Sequence, residues 1–346
     1  AAGGFSNVWG GAIQPLGDAG FDGWPLSARD LAPHYAAIDE LIHGGIGSSA
    51  TQDNGPASES GPGLRPSRQA AEFLADLEAN RDRLAGDGIG FSPSRLAARD
   101  GDGPDGCRYC GLCLYGCPYG RLYSARDTLD RLRTDGAVEY IPGMVVDRIR
   151  STGDGLEVEA RSCADGGRQI VSARRVFLGA GLLSTARIVL HSLEAFDTPV
   201  RIRHSDIFTL PVLRHHAAEG IFNERLHTLC QLFMEIEDRA AGIPPVHLQW
   251  YGYNDLYPRI LRERAGRAGT FVLPAFRPVH ARLFTVFGYL PSGHSSEIEL
   301  RLTGGAGVIG LPKLWHLPNF LEHWLEPVFE TAQPYLHWHH HSHGLE

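Results

Sequence analysis

The sequence predicts an α/β chain with a further α+β layer, and three observations carry that prediction. Segments at 28–43, 67–84, 124–133 and 182–193 combine helical spacing of apolar residues with residues suited to helix starts. Short apolar runs at 138–141, 144–149, 156–160 and 169–178 read as a β-meander, with Asp154-Gly155 and Asp165-Gly166 as turns between the later pairs. The last run ends in Phe177-Leu178-Gly179-Ala180-Gly181 and feeds a helix, which is how α/β sheets aim backbone N–H groups at a ligand. The meander is therefore expected to return to a parallel sheet, with Gly179–Gly181 at its carboxyl edge.

Residues 1–24 are rich in glycine and aromatics and read as a buried loop. Ser27 is placed to cap the helix at 28–43 and Asp30 to complete a capping box, while Leu31, Tyr35, Ile38, Leu41 and Ile42 form its apolar stripe. Gly, Ser, Pro and Asn mark 44–66 as an irregular connection. The cysteine segment, 107–117, is interrupted by glycines and closed by Pro118, so it reads as a loop. Between 200 and 300 the signals mix: a helix-like run from Leu226 to Asp238, and a strand pair at Arg282–Leu290 and Glu297–Leu302. Beyond Thr303 the chain turns rich in Trp, His and Pro. These changes divide the chain at 1–45, 46–200, 201–303 and 304–346, with no internal repeat.

The 346 residues, 43% hydrophobic and 21% charged, are long enough and ordinary enough in composition to exclude a disordered or fibrous chain. A net charge of −8 with scattered basic residues excludes a nucleic-acid partner. No run approaches the roughly 20 apolar residues of a membrane span. The chain opens on Ala1, two residues before a glycine pair of the kind found inside folds. Its natural start is expected upstream, where an export signal can also have been lost; a cytoplasmic location is the expectation.

Three clusters carry chemistry. Gly3-Gly4-Phe5-Ser6-Asn7-Val8-Trp9-Gly10-Gly11 holds four glycines in nine residues, which lets backbone approach a flat ligand. Cys107, Cys110, Cys113 and Cys117, the last followed by Pro118, have the spacing of a bacterial ferredoxin loop. A cluster, zinc, or reduced thiols with at most one disulfide all remain open. If the four are ligands, Cys107, Cys110 and Cys113 are expected as near neighbours, with Cys117 the one to point elsewhere. The tail offers His337, His339, His340, His341 and His343. His204, His227, His247 and His294 read as surface or core residues, and Trp250, Tyr251, Tyr253 and Tyr257 read either as a sugar-stacking cluster or as core.

The glycine loop, with Phe21-Asp22-Gly23-Trp24-Pro25-Leu26-Ser27 and Asp30-Leu31-Ala32-Pro33-His34-Tyr35, closely resembles the flavin-contacting segment of the glucose-methanol-choline oxidoreductases. The resemblance continues through the cysteine loop, the meander, and Arg175–Gly181 with Ser184, Thr185 and Arg187. It implies an incomplete FAD-binding domain of the glutathione-reductase-like type with a β-meander, followed by an α+β substrate domain over 201–303. Gly3, Gly4, Ser6, Asn7, Trp9, Gly10, Gly11, Val146, Ala180 and Gly181 are then cofactor-binding residues. FAD is expected to be non-covalent, because Asn7 and Val8 stand where some relatives carry the attaching histidine. The family's Gly-x-Gly-x-x-Gly turn is expected before Ala1, and its C-terminal His–Asn or His–His pair is not in view. His341, in His341-Ser342-His343-Gly344, is only a nominal base.

The implied activity is oxidation of an alcohol or sugar hydroxyl by hydride transfer to flavin. Some dehydrogenases of the family place an iron–sulfur cluster near this segment; one on the four cysteines would pass electrons to an acceptor protein or quinone. Two rivals are an inactive fragment or binding module that keeps the fold, and an iron–sulfur electron carrier.

Overall fold

The computed structural model describes residues 2–21, 24–43, 64–99, 105–238, 243–303 and 308–310. Its helices are α1 (Ala28–His43), α2 (Arg68–Glu78), α3 (Arg81–Gly86), α4 (Ala125–Thr134), α5 (Leu182–Ser192) and α6 (Leu256–His280). Its strands are β1 (Ile89–Pro93), β2 (Met144–Thr152), β3 (Gly155–Ser162), β4 (Arg168–Ala173), β5 (Val200–Arg203), β6 (Ile207–Leu213), β7 (Leu232–Asp238), β8 (Ile243–Tyr251), β9 (Leu283–Tyr289), β10 (Glu297–Leu302) and β11 (Val308–Gly310). Helices and antiparallel sheets make this an α+β fold. Among the described residues no helix is long and apolar enough to cross a membrane.

The helix starts follow the local chemistry. Ser27 N–H donates to Asp30 Oδ2 at 2.8 Å and Asp30 N–H returns to Ser27 Oγ at 3.4 Å, a closed capping box. Ser67 Oγ accepts from Ala70 N–H, and Ser124 Oγ from Arg126 N–H. The single helix expected over 67–84 divides into α2 and α3, because Asn80 Nδ2 donates to the Asp76 carbonyl at 2.8 Å and gives the end of α2 a partner outside its own ladder.

The chain forms two compact units, Ala1–Pro142 with Ser205–Ser296, and Gly143–His204 with Glu297–Glu346. The first is built on a five-stranded antiparallel sheet in the order β1-β7-β8-β9-β6. Strand alternation sends Leu232, Met234, Leu248, Trp250, Phe284 and Val286 to one face, where Ala70, Phe73, Leu74 and Leu77 of α2 cover them. Phe284 and Leu232 are wholly buried there. Gly288 has no side chain because the Phe208 ring of the paired strand occupies that space; a Cβ would lie 2.0 Å from the ring.

The second unit holds the three-stranded meander β2-β3-β4 and a three-stranded sheet in the order β11-β10-β5. Leu190 of α5 packs with Ile202, Leu300 and Leu302. Ile149 N–H donates to Ser192 Oγ at 2.8 Å, and the register of β2 shifts between Val146 and Arg148.

Four further sequence expectations are corrected. The helix-like run at 226–238 ends in strand β7: Leu226, Leu229 and Cys230 are buried in the irregular segment before the strand, and Leu232, Phe233 and Met234 at its start are buried in succession, which hides the alternation. Residues 138–141 pair with no strand, and Val138, Tyr140 and Ile141 are exposed. The run expected to reach Leu178 stops at Ala173; every strand pair among the described residues is antiparallel, so 174–178 has no parallel neighbour to complete a ladder. The strands at 283–289 and 297–302 exist but are not partners: β9 pairs with β6 and β8, and β10 with β5 and β11. The histidine-rich tail lies outside the described residues, as does the connection from 44 to 63.

Truncating Phe284 to Ala removes the central ring of the α2-covered face. The expected cost is about 3–5 kcal/mol, read as a fall in the urea midpoint at unchanged slope. A loss under about 1 kcal/mol would show that this face is not the core of the first unit.

Candidate functional site

The glycine loop is held by its own side chains. Gly3 takes a φ of +85°, and a Cβ there would meet Asn7 Oδ1 at 2.7 Å and Arg126 Cβ at 2.9 Å. Ser6 Oγ donates to the Gly3 carbonyl and accepts from Ala125 N–H at 2.9 Å, which docks the loop on the start of α4. Asn7 Nδ2 donates to the Ala2 and Gly4 carbonyls, and its Oδ1 accepts from Ser124 Oγ at 2.9 Å. Trp9 Nε1 donates to the Tyr123 carbonyl at 2.9 Å. Gly11 also has positive φ, with Leu122 where its Cβ would be, and its carbonyl accepts from Ala97 N–H at 2.7 Å. Ser6, Asn7 and Trp9 therefore spend their polar groups on fixing the loop. Gly4 and Gly10 remain bare on its outside: a Cβ would meet nothing within 4 Å at Gly4, and only the Tyr251 hydroxyl, at 3.7 Å, at Gly10.

The cysteine loop turns through Tyr109, Gly111, Gly116 and Gly120, all at positive φ. Tyr109 is its anchor. Its hydroxyl accepts from Arg65 N–H at 2.8 Å, the Arg65 guanidinium lies 4.7 Å from its ring centre, and the His227 ring lies 6.3 Å away. Cys107 Sγ accepts from Tyr109 N–H and Cys117 Sγ from Arg121 N–H. Burial pushes the Cys107 and Cys113 thiols up, and the neighbouring cysteines of the loop add to it by mutual repulsion. Among the described residues, however, no group of three or more His, Cys, Asp or Glu side chains is arranged to hold a metal. The three near neighbours expected from the spacing do not form a ligand set. Cys110 and Cys163 are exposed, and Cys230 is buried with its thiol pushed up to about 12 by burial.

The sheet face opposite α2 carries the residues that sequence reasoning left without a role. Strand register lines them up in rows: Glu235, His247 and Tyr289 across β7, β8 and β9, then Phe233, Gln249 and Phe287, then Tyr251 beside Thr285. His247 Nδ1 lies 2.6 Å from Glu235 Oε1, and Gln14 Nε2 donates to that same oxygen at 3.1 Å. Gln249 Nε2 lies 3.4 Å from His247 Nε2, and Tyr251 Oη donates to Gln249 Oε1 at 2.9 Å. Rings frame this polar line, with Phe233 at 5.0 Å and Tyr289 at 5.9 Å from His247, and Phe287 edge-on to Tyr251 at 5.4 Å. Burial pushes the Tyr289 hydroxyl up, so it stays protonated. The aromatic group at 250–257 is split by alternation: Trp250 belongs to the α2-covered core, Tyr251 to this face, and Tyr253 packs on Phe222.

One apolar cluster joins the three features. Leu96, Ala98, Leu229, Cys230 and Phe233 form its buried centre, with Ala12, Cys113, Leu122 and Tyr251 packed against it. The glycine loop, the cysteine loop and the polar sheet face are parts of one unit. The remaining expected cofactor residues belong to the second unit. There the Val146 carbonyl accepts from Arg187 Nη2 of α5, and Gly181, at φ +82°, stands at the N-terminus of that helix beside Ala180. His341 lies outside the described residues.

His227, wholly buried under the cysteine loop, has its pKa lowered from 6.5 to about 4 by burial, with the Arg65 charge adding. Below pH 6.5 the unfolded chain binds a proton that the folded one refuses, so stability falls as pH drops from about 6.5 to about 4. The expected loss from this group is roughly 3 kcal/mol, measured by urea titration at pH 7 and pH 4. His227→Gln should flatten that part of the profile, and an unchanged slope would show that the ring is not the titrating group. The sequence matches no protein-family model and no curated protein.

Proposed function

We propose that the chain carries the alcohol-binding face and flavin-contacting loop of an FAD-dependent oxidoreductase that oxidises an alcohol or sugar hydroxyl. One observation supports this most. The glycine loop, chosen from sequence alone as a surface for a flat ring, packs at the edge of the polar and aromatic sheet face, with Gly10 beside the Tyr251 hydroxyl and Gln14 bonded to Glu235.

The residues fit the group. A stacked isoalloxazine ring needs backbone without side chains, and Gly4 and Gly10 supply it on the outer side of a loop whose inner side is fastened by Ser6, Asn7 and Trp9. FAD, when bound, accepts a hydride from a carbinol carbon. The chain's own residues would bind and orient the alcohol. Tyr251, Gln249 and Glu235 offer donors and acceptors to hydroxyl groups, while Phe287, Phe233 and Tyr289 offer apolar faces to C–H groups and exclude water from them. Val146, Ala180 and Gly181 are assigned to the cofactor by the family resemblance. The compartment proposed is the cytoplasm, and the partners a small alcohol or sugar with an electron-acceptor protein or quinone.

An iron–sulfur relay is the second part of the reading. The spacing of Cys107, Cys110, Cys113 and Cys117 favours it, whereas their side chains as arranged do not make a ligand set.

The full chain incubated with FAD and freed of excess should keep flavin absorbance near about 375 and 450 nm. Gly10→Val places a branched side chain on the bare face and should weaken flavin retention at least roughly 10-fold, about 1.4 kcal/mol, with thermal unfolding unchanged. A chain that retains no flavin, or a variant that retains it equally, removes the proposal. Iron and sulfide analysis of anaerobically prepared protein decides the relay: both in the wild type, and less in Cys110→Ser, would require the sulfurs to converge beyond their present arrangement. Absence of both in the wild type reduces the loop to a structural element.

A further inference from the structure

A cavity of about 200 Å³ lies between the end of α1, the segment that follows the cysteine loop, and α4, apart from the sheet face. We propose that it binds a small phosphorylated polyol, with the phosphate held by Arg99, Arg121 and Arg131. The site stands whether or not the chain binds flavin. Backbone pairing brings the first two arginines together. Arg99 N–H donates to the Arg121 carbonyl at 2.8 Å and Tyr123 N–H to the Ala97 carbonyl at 2.8 Å, which sets Arg99 opposite Arg121. Alternation sends Leu122 into the apolar cluster and Arg121 and Tyr123 to the other side, where both line the cavity. Arg131 joins them from α4, one turn after Asp127 and Thr128 on the same helix face.

The charges of this cavity do not balance without an anion. Like charges set directly opposite each other destabilise an extended pair, and the three guanidiniums share one lining carboxylate, Asp127. Asp105 reaches Arg121 at 3.1 Å, but its side chain is 73% exposed and solvent weakens the pair. Among the described residues the Arg99 and Arg131 guanidiniums make no hydrogen bond or ion pair. Cations therefore outnumber carboxylates here on a chain whose net charge is −8. The donors suit a phosphate monoester, because each guanidinium brings five N–H groups and no acceptor, and a phosphate presents three strong acceptor oxygens to them. Tyr123 Oη and Thr128 Oγ1 lie 3.1 Å apart; one hydroxyl proton fills that contact and the other is left for a ligand oxygen. Asp127 can only accept, which matches a ligand hydroxyl and opposes a second phosphate, while Leu41 and Ile42 give the carbon chain an apolar wall. At about 200 Å³ the cavity is smaller than the roughly 300–1,000 Å³ of sites for drug-sized ligands, so the carbon skeleton is a few atoms long and a nucleotide is excluded.

Calorimetric titration of the full chain with glycerol phosphate, inorganic phosphate and glycerol tests this. The buffer is held at about 0.15 M salt, where attraction beyond about 8 Å is screened and contact inside the cavity remains. Glycerol phosphate should bind at one site, more tightly than inorganic phosphate, and glycerol should give no heat of binding. Arg99→Gln and Arg131→Gln change exposed side chains that bond to nothing else, so thermal unfolding should be unaltered while each weakens glycerol phosphate binding roughly 10-fold or more. Arg83→Gln, on the exposed face of α3, should leave the affinity as it is. No binding of glycerol phosphate by the wild type overturns the proposal, as does equal affinity in Arg99→Gln and Arg131→Gln. A matching loss in Arg83→Gln overturns it too, because the attraction would then belong to the whole surface. Inorganic phosphate bound as tightly as glycerol phosphate overturns the assignment to a polyol ester.

Discussion

The antiparallel pairing of β7, β8 and β9 is the constraint on which the rest of the first unit depends. Because side chains alternate along each strand, one register decides two surfaces together. Leu232 against Trp250 and Val286 makes a core row for α2 to cover, and the residues next to them in sequence, Phe233, Gln249 and Phe287, are forced to the opposite side. A slip of one residue would send Glu235 and His247 into the hydrocarbon under α2. The burial of Phe284 and Leu232 is therefore also what positions the polar face.

That face shows how directional bonds do work that charge alone cannot. A histidine beside a carboxylate is common on protein surfaces and worth little when both are solvated. Here the carboxylate also accepts from Gln14, and the far nitrogen faces an amide whose own orientation is set by a tyrosine hydroxyl. Each bond narrows the orientations open to the next, and a carboxylate at Nδ1 favours the proton on that nitrogen. Neighbouring aromatic rings lower the competition from water.

The loops over this face are held by a division of labour between side chain and backbone. In the glycine loop the polar groups are spent inward, on the start of α4 and the Tyr123 carbonyl, and Gly4 and Gly10 are left outward. In the cysteine loop Tyr109 and Arg65 make the attachment, Thr228 Oγ1 donates to the Gly111 carbonyl at 3.4 Å, and Cys113 enters the apolar cluster as a small hydrophobe. Four cysteines at a metal-binding spacing have thus been placed by packing and backbone bonds, and spacing along the chain does not by itself bring sulfurs to one centre.

What the sequence determined by itself is local. Ser27 with Asp30, Ser67 and Ser124 start their helices where the capping pattern put them, because a cap joins atoms within three residues of one another. Asp154-Gly155 and Asp165-Gly166 turn the meander for the same reason, and the glycine loop is a loop because Gly3, Gly4 and Gly11 need positive φ. Tertiary structure decided the rest. The run from Leu226 could be read at helical spacing, since its buried residues begin before the strand and continue in succession through Met234; only the partners β1 and β8 make 232–238 a strand. His247 and Glu235 stand twelve positions apart and carry no motif, as do Gln14 and Glu235 at a separation of 221, so nothing short of the sheet register brings them together. Caps and turns are written in neighbouring residues, whereas a site on a sheet face is written in which strands pair and in what register.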